Sequence, residues 1–272
     1  MQKKFKNIMH INISNISKKI IAVLVLLAIW QAAAMLLGQS LLLASPLEVL
    51  VRLFSLIKES SFWSVIWFSF ARISLGFIAG LLIGTGLAVP AAKNAWLETL
   101  LSPLMVTIKT VPVASFIIIA LIWISSARLS LFISFLMVLP VIYNNVLEGI
   151  KSIDPKMTQM ADIYRLPKKT RLKYIAAPKV YPFLISACKT ALGLAWKAGV
   201  AAEVIGIPTG SIGEKMYMSK IYLDSASLLA WTVVVVLISV AFEKLVLWLI
   251  KKAAPWEHVW RHYGIKAIVE RG

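Results

Sequence analysis

Six apolar stretches separated by charged segments set the limits on what this 272-residue chain can fold into. A bilayer core of about 30 Å is crossed by a helix of about 20 apolar residues at 1.5 Å per residue. The first stretch, 20–38, reads IIAVLVLLAIWQAAAMLLG, and the others cover 70–90, 101–124, 130–147, 183–206 and 227–250. The chain is 60% hydrophobic and 15% charged, with a mean hydropathy of +0.83. Soluble domains hold about 45–50% apolar and about 25% charged residues. A soluble globule and a disordered chain are both excluded. The expectation is an all-α integral membrane protein with six transmembrane helices. Its transmembrane domain covers 20–250, between an N-terminal segment 1–19 and a tail 251–272. The stretch 20–38 is longer than a signal-peptide core and has a long polar lead-in, so it reads as a span rather than a cleaved leader.

Charge then orients the spans. There are 29 Lys and Arg against 12 Asp and Glu, a net charge of +17. Basic residues of membrane proteins gather in cytoplasmic loops. With both termini inside, nineteen Lys and Arg fall in inner segments and five in outer ones. Five spans would put the basic tail outside, against that rule. Aromatic residues do not interleave with the basic runs, so nucleic acid is not an expected partner.

Several chemistries drop out. The single Cys188 allows neither an intrachain disulfide nor a cysteine zinc site. His258 and His262 lie four apart in the tail without a third ligand. A GxxxxGK[ST] phosphate loop does not occur. No span contains His or two carboxylates within helical reach, which argues against an intramembrane enzyme. An ion-coupled carrier would call for inverted repeats and broken helices, and no internal repeat is evident.

Two polar segments carry recognisable patterning. In 45–59, SPLEVLVRLFSLIKE, the residues Leu47, Leu50, Val51, Phe54 and Ile57 share a helical stripe interrupted by charges. Ser45 suits an N-cap, with Pro46 at the first helical position and Glu48 closing a capping box. In 149–180, Asp154 and Pro155 start a short helix, and Pro167 ends it. A second short helix is expected around Leu172 and Ile175, so the loop forms a hairpin with an apolar knob among cations. Docking in a partner's groove and resting on anionic lipid both fit that pattern. In the second span, Gly76, Gly80 and Gly84 recur at intervals of four, which permits close approach of another helix.

The 149–180 loop resembles the EAA loop of type I ABC importer permeases, whose pattern is roughly EAA-x3-G-x9-I-x-LP. Gln159 stands at the Glu position, Met160 and Ala161 at the two Ala, Arg165 at the Gly, and Ile175 and Pro178 near the end. SPLEVL, ARISLGFIAGLLIGTGLAVP, IKTVPVASFIIIALIW and ALGLAWKAGVAAEVIG with GSIGE are similar to the nitrate/sulfonate/taurine/bicarbonate branch of that family, near thiamine-precursor permeases. The resemblance implies the MetI-like architecture and an importer of two permease subunits, two ATPase subunits and an extracytoplasmic binding protein. It also implies ATPase coupling through Gln159, Met160, Ala161, Asp162, Tyr164, Arg165, Leu166 and Pro167. ATP and Mg would be bound by the partner ATPase, leaving this chain without a cofactor. Ala161, Tyr164 and Leu166 are expected as buried contacts with that partner, and Asp162 and Arg165 as their polar rim.

An ionisable residue inside a span is a functional candidate. Arg72, Lys189 and Lys244 lie near span ends, where long side chains reach the interface. Lys109, Trp196, Lys197 and Glu203 are the candidates for the translocation pathway, with Lys197 leaning toward anionic solutes. Packing for Trp196 and a cap or pairing role for Glu203 stay open. A sulfonate, taurine or nitrate fits this reading; a neutral or cationic pyrimidine fits it less directly.

Overall fold

The computed structural model describes residues 2–39 and 41–253, all of whose regular structure is helical. His258 and His262 lie outside the described residues. The helices are α1 (Gln2–Leu37), α2 (Pro46–Ile57), α3 (Phe62–Ala91), α4 (Ala95–Thr110), α5 (Val113–Ala120) and α6 (Ser126–Lys151). They continue with α7 (Pro155–Ile163), α8 (Lys168–Arg171), a π-helical turn (Leu172–Ala176), α9 (Ala177–Gly206), α10 (Ile212–Ile221) and α11 (Ser225–Ala253). Five of these runs are long and apolar enough to cross a membrane, and a sixth results if α4 and α5 count as one bent span.

The chain divides into two compact units. The first holds residues up to Trp63 together with Lys215–Val233. Here α2 forms as its sequence dictates: the Ser45 hydroxyl accepts from Glu48 N, and the Glu48 carboxylate accepts from Ser45 N at 2.7 Å. Such caps stabilise a helix by about 1 kcal/mol. Val49 and Leu56 are buried, whereas Leu47, Leu50, Val51 and Phe54 stay exposed. The stripe seen in the sequence is therefore the outward face of α2. Arg52 ties α2 to the start of α11 by donating to Ser227 Oγ at 2.6 Å, and Ser227 in turn donates to Asp224.

The second unit holds Ser64–Glu214 and residues from Val234 on. Its centre is the packing of α6 between α3 and α9. The three glycines of α3 meet α6 of the same chain. A Cβ on Gly80 would lie 2.7 Å from Val138 Cβ, and one on Gly84 3.1 Å from Ile142 Cβ. On the other side, a Cβ on Gly199 would come within 2.5 Å of Ser134 Oγ and 2.7 Å of Ile73. Real Cβ atoms essentially never approach as closely as at Gly80 and Gly199, and the distance at Gly84 is tighter than most, so glycine lets the helix axes come together. Below this contact, Trp196 is buried in an aromatic cluster with Phe70 and Phe242.

Three sequence expectations need correction. The third span is not one helix over 101–124: α4 and α5 meet at a bend of 100°. Pro112 offers no N–H and pushes Val111 out of the helical region, to φ −70° and ψ 132°. The short α5 is held by packing Ile117 and Ala120 against Leu129 and Ile133 of α6 and Ala198 and Ala202 of α9. A broken helix is thus present, although the sequence showed no internal repeat. Second, α3 starts at Phe62, so Arg72 lies well inside it. Arg72 donates to the Ala127 carbonyl and sits 3.4 Å from the centre of the Phe68 ring. Third, the second arm of the hairpin is no separate helix: α8, the π-turn and α9 form one continuous run, Lys168–Gly206.

Candidate functional site

The hairpin between α6 and α9 is built from local rules. Asp154 caps α7 by accepting from Lys156 N at 2.8 Å, and Pro155 occupies the first turn. After α7, Arg165 takes a left-handed conformation at φ 50°, and Leu166 N returns to Ala161 O at 2.9 Å. This closure satisfies the last carbonyls of the helix, and glycine is the residue that usually makes it. A non-glycine residue there costs about 1–2 kcal/mol. Arg171 offsets the cost. Its guanidinium donates to Leu166 O at 2.9 Å and Ala161 O at 3.0 Å, and it pairs with Asp162. Arg171 therefore holds both sides of the turn at once.

This geometry rearranges the expected docking residues. Ala161 is 0% exposed and covered within the chain. Leu166 is half-buried and Asp162 is engaged by Arg171. The apolar residues presented outward are Met157, Met160, Ile163 and Tyr164, with Ile163 at 78% and Tyr164 at 73% exposure. Gln159, Arg165 and Pro167 are also exposed. Arg171 was missed in the sequence because its role depends on closure of a turn nine residues from Asp162. No spacing rule marks it.

The span candidates separate into two kinds. Lys197 is exposed on α9. It follows Ser186, Thr190 and Gly193 along one exposed stripe, with Lys189 beside it. Lys109 is exposed in the last turn of α4, because the break at Pro112 makes this a helix end. A cation is favourable there against the helix dipole. By contrast Trp196 is 2% exposed and Glu203 is 0% exposed. The Glu203 carboxylate accepts from Ser69 Oγ at 2.6 Å and from Gly213 N at 3.3 Å, while Ser69 Oγ accepts from Ile212 N at 2.9 Å. Glu203 thus clamps the 207–213 loop to α3 and α9. At the end of α9, Ile207 is left-handed at φ 46°, and its N–H donates to Glu203 O at 2.8 Å. Among the described residues, no cluster of three or more His, Cys, Asp or Glu is placed to hold a metal ion.

Residues 76–255 match the family of binding-protein-dependent transport system inner membrane components. The chain belongs to this family. The nitrate import permease protein NrtB of Synechocystis is 25% identical to this permease over 75% of its chain and 76% of the relative. The taurine transport system permease protein TauC of Escherichia coli is 23% identical over 85% and 86% of the two chains. The formylaminopyrimidine transport permease protein ThiX of Halalkalibacterium halodurans is 26% identical over 69% and 75%. Among solved structures, an amino acid ABC transporter with histidines aligns with a TM-score of 0.56 at 13% identity, covering 75% of this permease and 96% of that chain. That likeness shows the fold. The permease is an ABC importer subunit and a multi-pass membrane protein, similar to the permeases named for nitrate, sulfonates and taurine.

Proposed function

We propose that the permease, paired with a second permease subunit, forms the pathway for a small anion such as an aliphatic sulfonate, taurine or nitrate. An extracytoplasmic binding protein delivers the solute, and separate ATPase subunits, which hold ATP and Mg, supply the energy. Both termini and the 149–180 loop lie on the ATPase side in this reading, in keeping with the basic charge gathered there. The hairpin transmits closure of the ATPases to the spans, which alternate between inward and outward openings. A relative named for nitrate supports the anion class, and one named for taurine supports a solute with an anionic sulfonate group.

The observation that carries the anion reading is the outward stripe of α9, where Ser186, Thr190, Gly193 and Lys197 are all exposed. A lysine near the centre of a span costs about 3 kcal/mol against hydrocarbon. This stripe therefore belongs against water, solute or a neighbouring subunit, and a cation on a solute path attracts anions. Uptake of labelled taurine and nitrate by cells expressing the whole importer tests it, with formylaminopyrimidine as the competing solute. Lys197→Met is expected to lower anion uptake by roughly tenfold while the ATPase still co-purifies. Unchanged anion uptake, or uptake of the pyrimidine alone, would overturn the reading.

A further inference from the structure

We infer that the hairpin fits a partner groove with an apolar floor and an acidic rim, so that the permease selects its ATPase by charge. The inference rests on the docking role proposed above and adds the chemistry of the partner surface. Residues 149–180 hold eight Lys and Arg against two carboxylates. Both carboxylates are engaged locally: Asp154 accepts from Lys156 N, and Asp162 is paired with Arg171. Lys151 is spent on Glu98. Lys156, Arg165, Lys168, Lys169, Lys173 and Lys179 are exposed, and none has an ion pair among the described residues. Along the chain they flank an apolar group in which Met157, Met160 and Tyr164 share one face of the turn and Ile163 lies beside it.

A surface of this kind gains little from a neutral groove and is repelled by a basic one. Anionic lipid would accept the same charges, but a fluid headgroup layer places no demand on shape. The tip does carry such a demand. Arg165 is held in a left-handed conformation, and Arg171 grips two carbonyls and a carboxylate to keep it there. Conformations held against their intrinsic preference gather where shape is used. An apolar anchor in a groove then supplies affinity, and the surrounding cations supply orientation and association rate.

The test uses the full-length permease in nanodiscs of zwitterionic lipid and the ATPase that co-purifies with it. Raising salt from about 0.05 M to about 0.5 M is expected to weaken the complex at least tenfold, mainly through slower association. The double variant Lys168→Glu, Lys169→Glu is expected to lose about tenfold at low salt and to show a flatter salt dependence. Ile163→Asp is expected to abolish binding at either salt, and all variants should insert and elute as the parent does. If Ile163→Asp abolishes binding while salt and charge reversal do nothing, docking stands and the acidic groove is refuted. If none of the three changes binding, the docking role itself fails. If binding appears only after anionic lipid is added, the cations serve the membrane and the inference is overturned.

Discussion

Two helix ends in the second unit solve one problem in opposite ways. After α7 and after α9 the chain turns through a non-glycine left-handed residue, Arg165 at φ 50° and Ile207 at φ 46°, with a proline following closely in each case. Each turn is held by an ionisable side chain. At the hairpin the holder is a cation, Arg171, which donates to carbonyls at the edge of solvent. At the end of α9 it is an anion, Glu203, which accepts from Ser69 and Gly213 in a fully buried setting. The exposed turn keeps its surroundings open, leaving the neighbouring cations and Tyr164 free for a partner. The buried turn is sealed, and its job is to fix a loop. Two similar backbone conformations therefore belong to different functions, and burial of the holding group separates them.

The largest expected effect is at the buried end. Glu203→Ala leaves the Ser69 hydroxyl and the Gly213 N–H without their acceptor and opens a cavity, at a cost of about 3 kcal/mol or more. A lower melting temperature in detergent and faster proteolysis within 207–213 are the readouts. Glu203→Gln keeps an acceptor and should lose about half as much. A melting temperature equal to the parent's for Glu203→Ala would remove the contrast between the two turns.

At the exposed end the effect is smaller and local. Arg171→Ala removes two hydrogen bonds and a partly exposed ion pair, worth about 1–2 kcal/mol together. Hydrogen exchange should speed up over 160–167 while the spans keep their protection, and ATP hydrolysis should uncouple from transport. A loss of protection throughout the spans would mean that the staple supports the whole unit rather than the turn.

The smallest effect sharpens the comparison. Arg165→Gly relieves about 1 kcal/mol of left-handed strain and should partly restore slow exchange in the Arg171→Ala background. The equivalent change at Ile207 should yield no gain, because that side chain is half-buried and its contacts are lost with it. Equal gains at both positions would show that burial plays no part.

Much of this was legible in the residues themselves. The Ser45–Glu48 capping box and the Asp154–Pro155 helix start act over a few residues, and the structure forms both where the sequence places them. Likewise Arg165 stands where the family pattern has glycine, and the backbone there does take the conformation that glycine favours. Local hydrogen bonding and steric limits on φ act within one or two turns, so a linear sequence contains them.

Only the tertiary structure decided which partner each face meets. Periodicity showed that Gly76, Gly80 and Gly84 share a face of α3, but not that α6 of the same chain fills it. The sequence offered Ala161 as a contact for a partner without showing that the chain folds over it. The sequence reading ran one span through Pro112; the bend of 100° there depends on where α6 and α9 receive Ile117 and Ala120. Glu203 finds Ser69 across a separation of 134 residues. Spacing along a chain determines the direction in which a side chain points; what lies in that direction depends on contacts between distant segments, which only packing brings together.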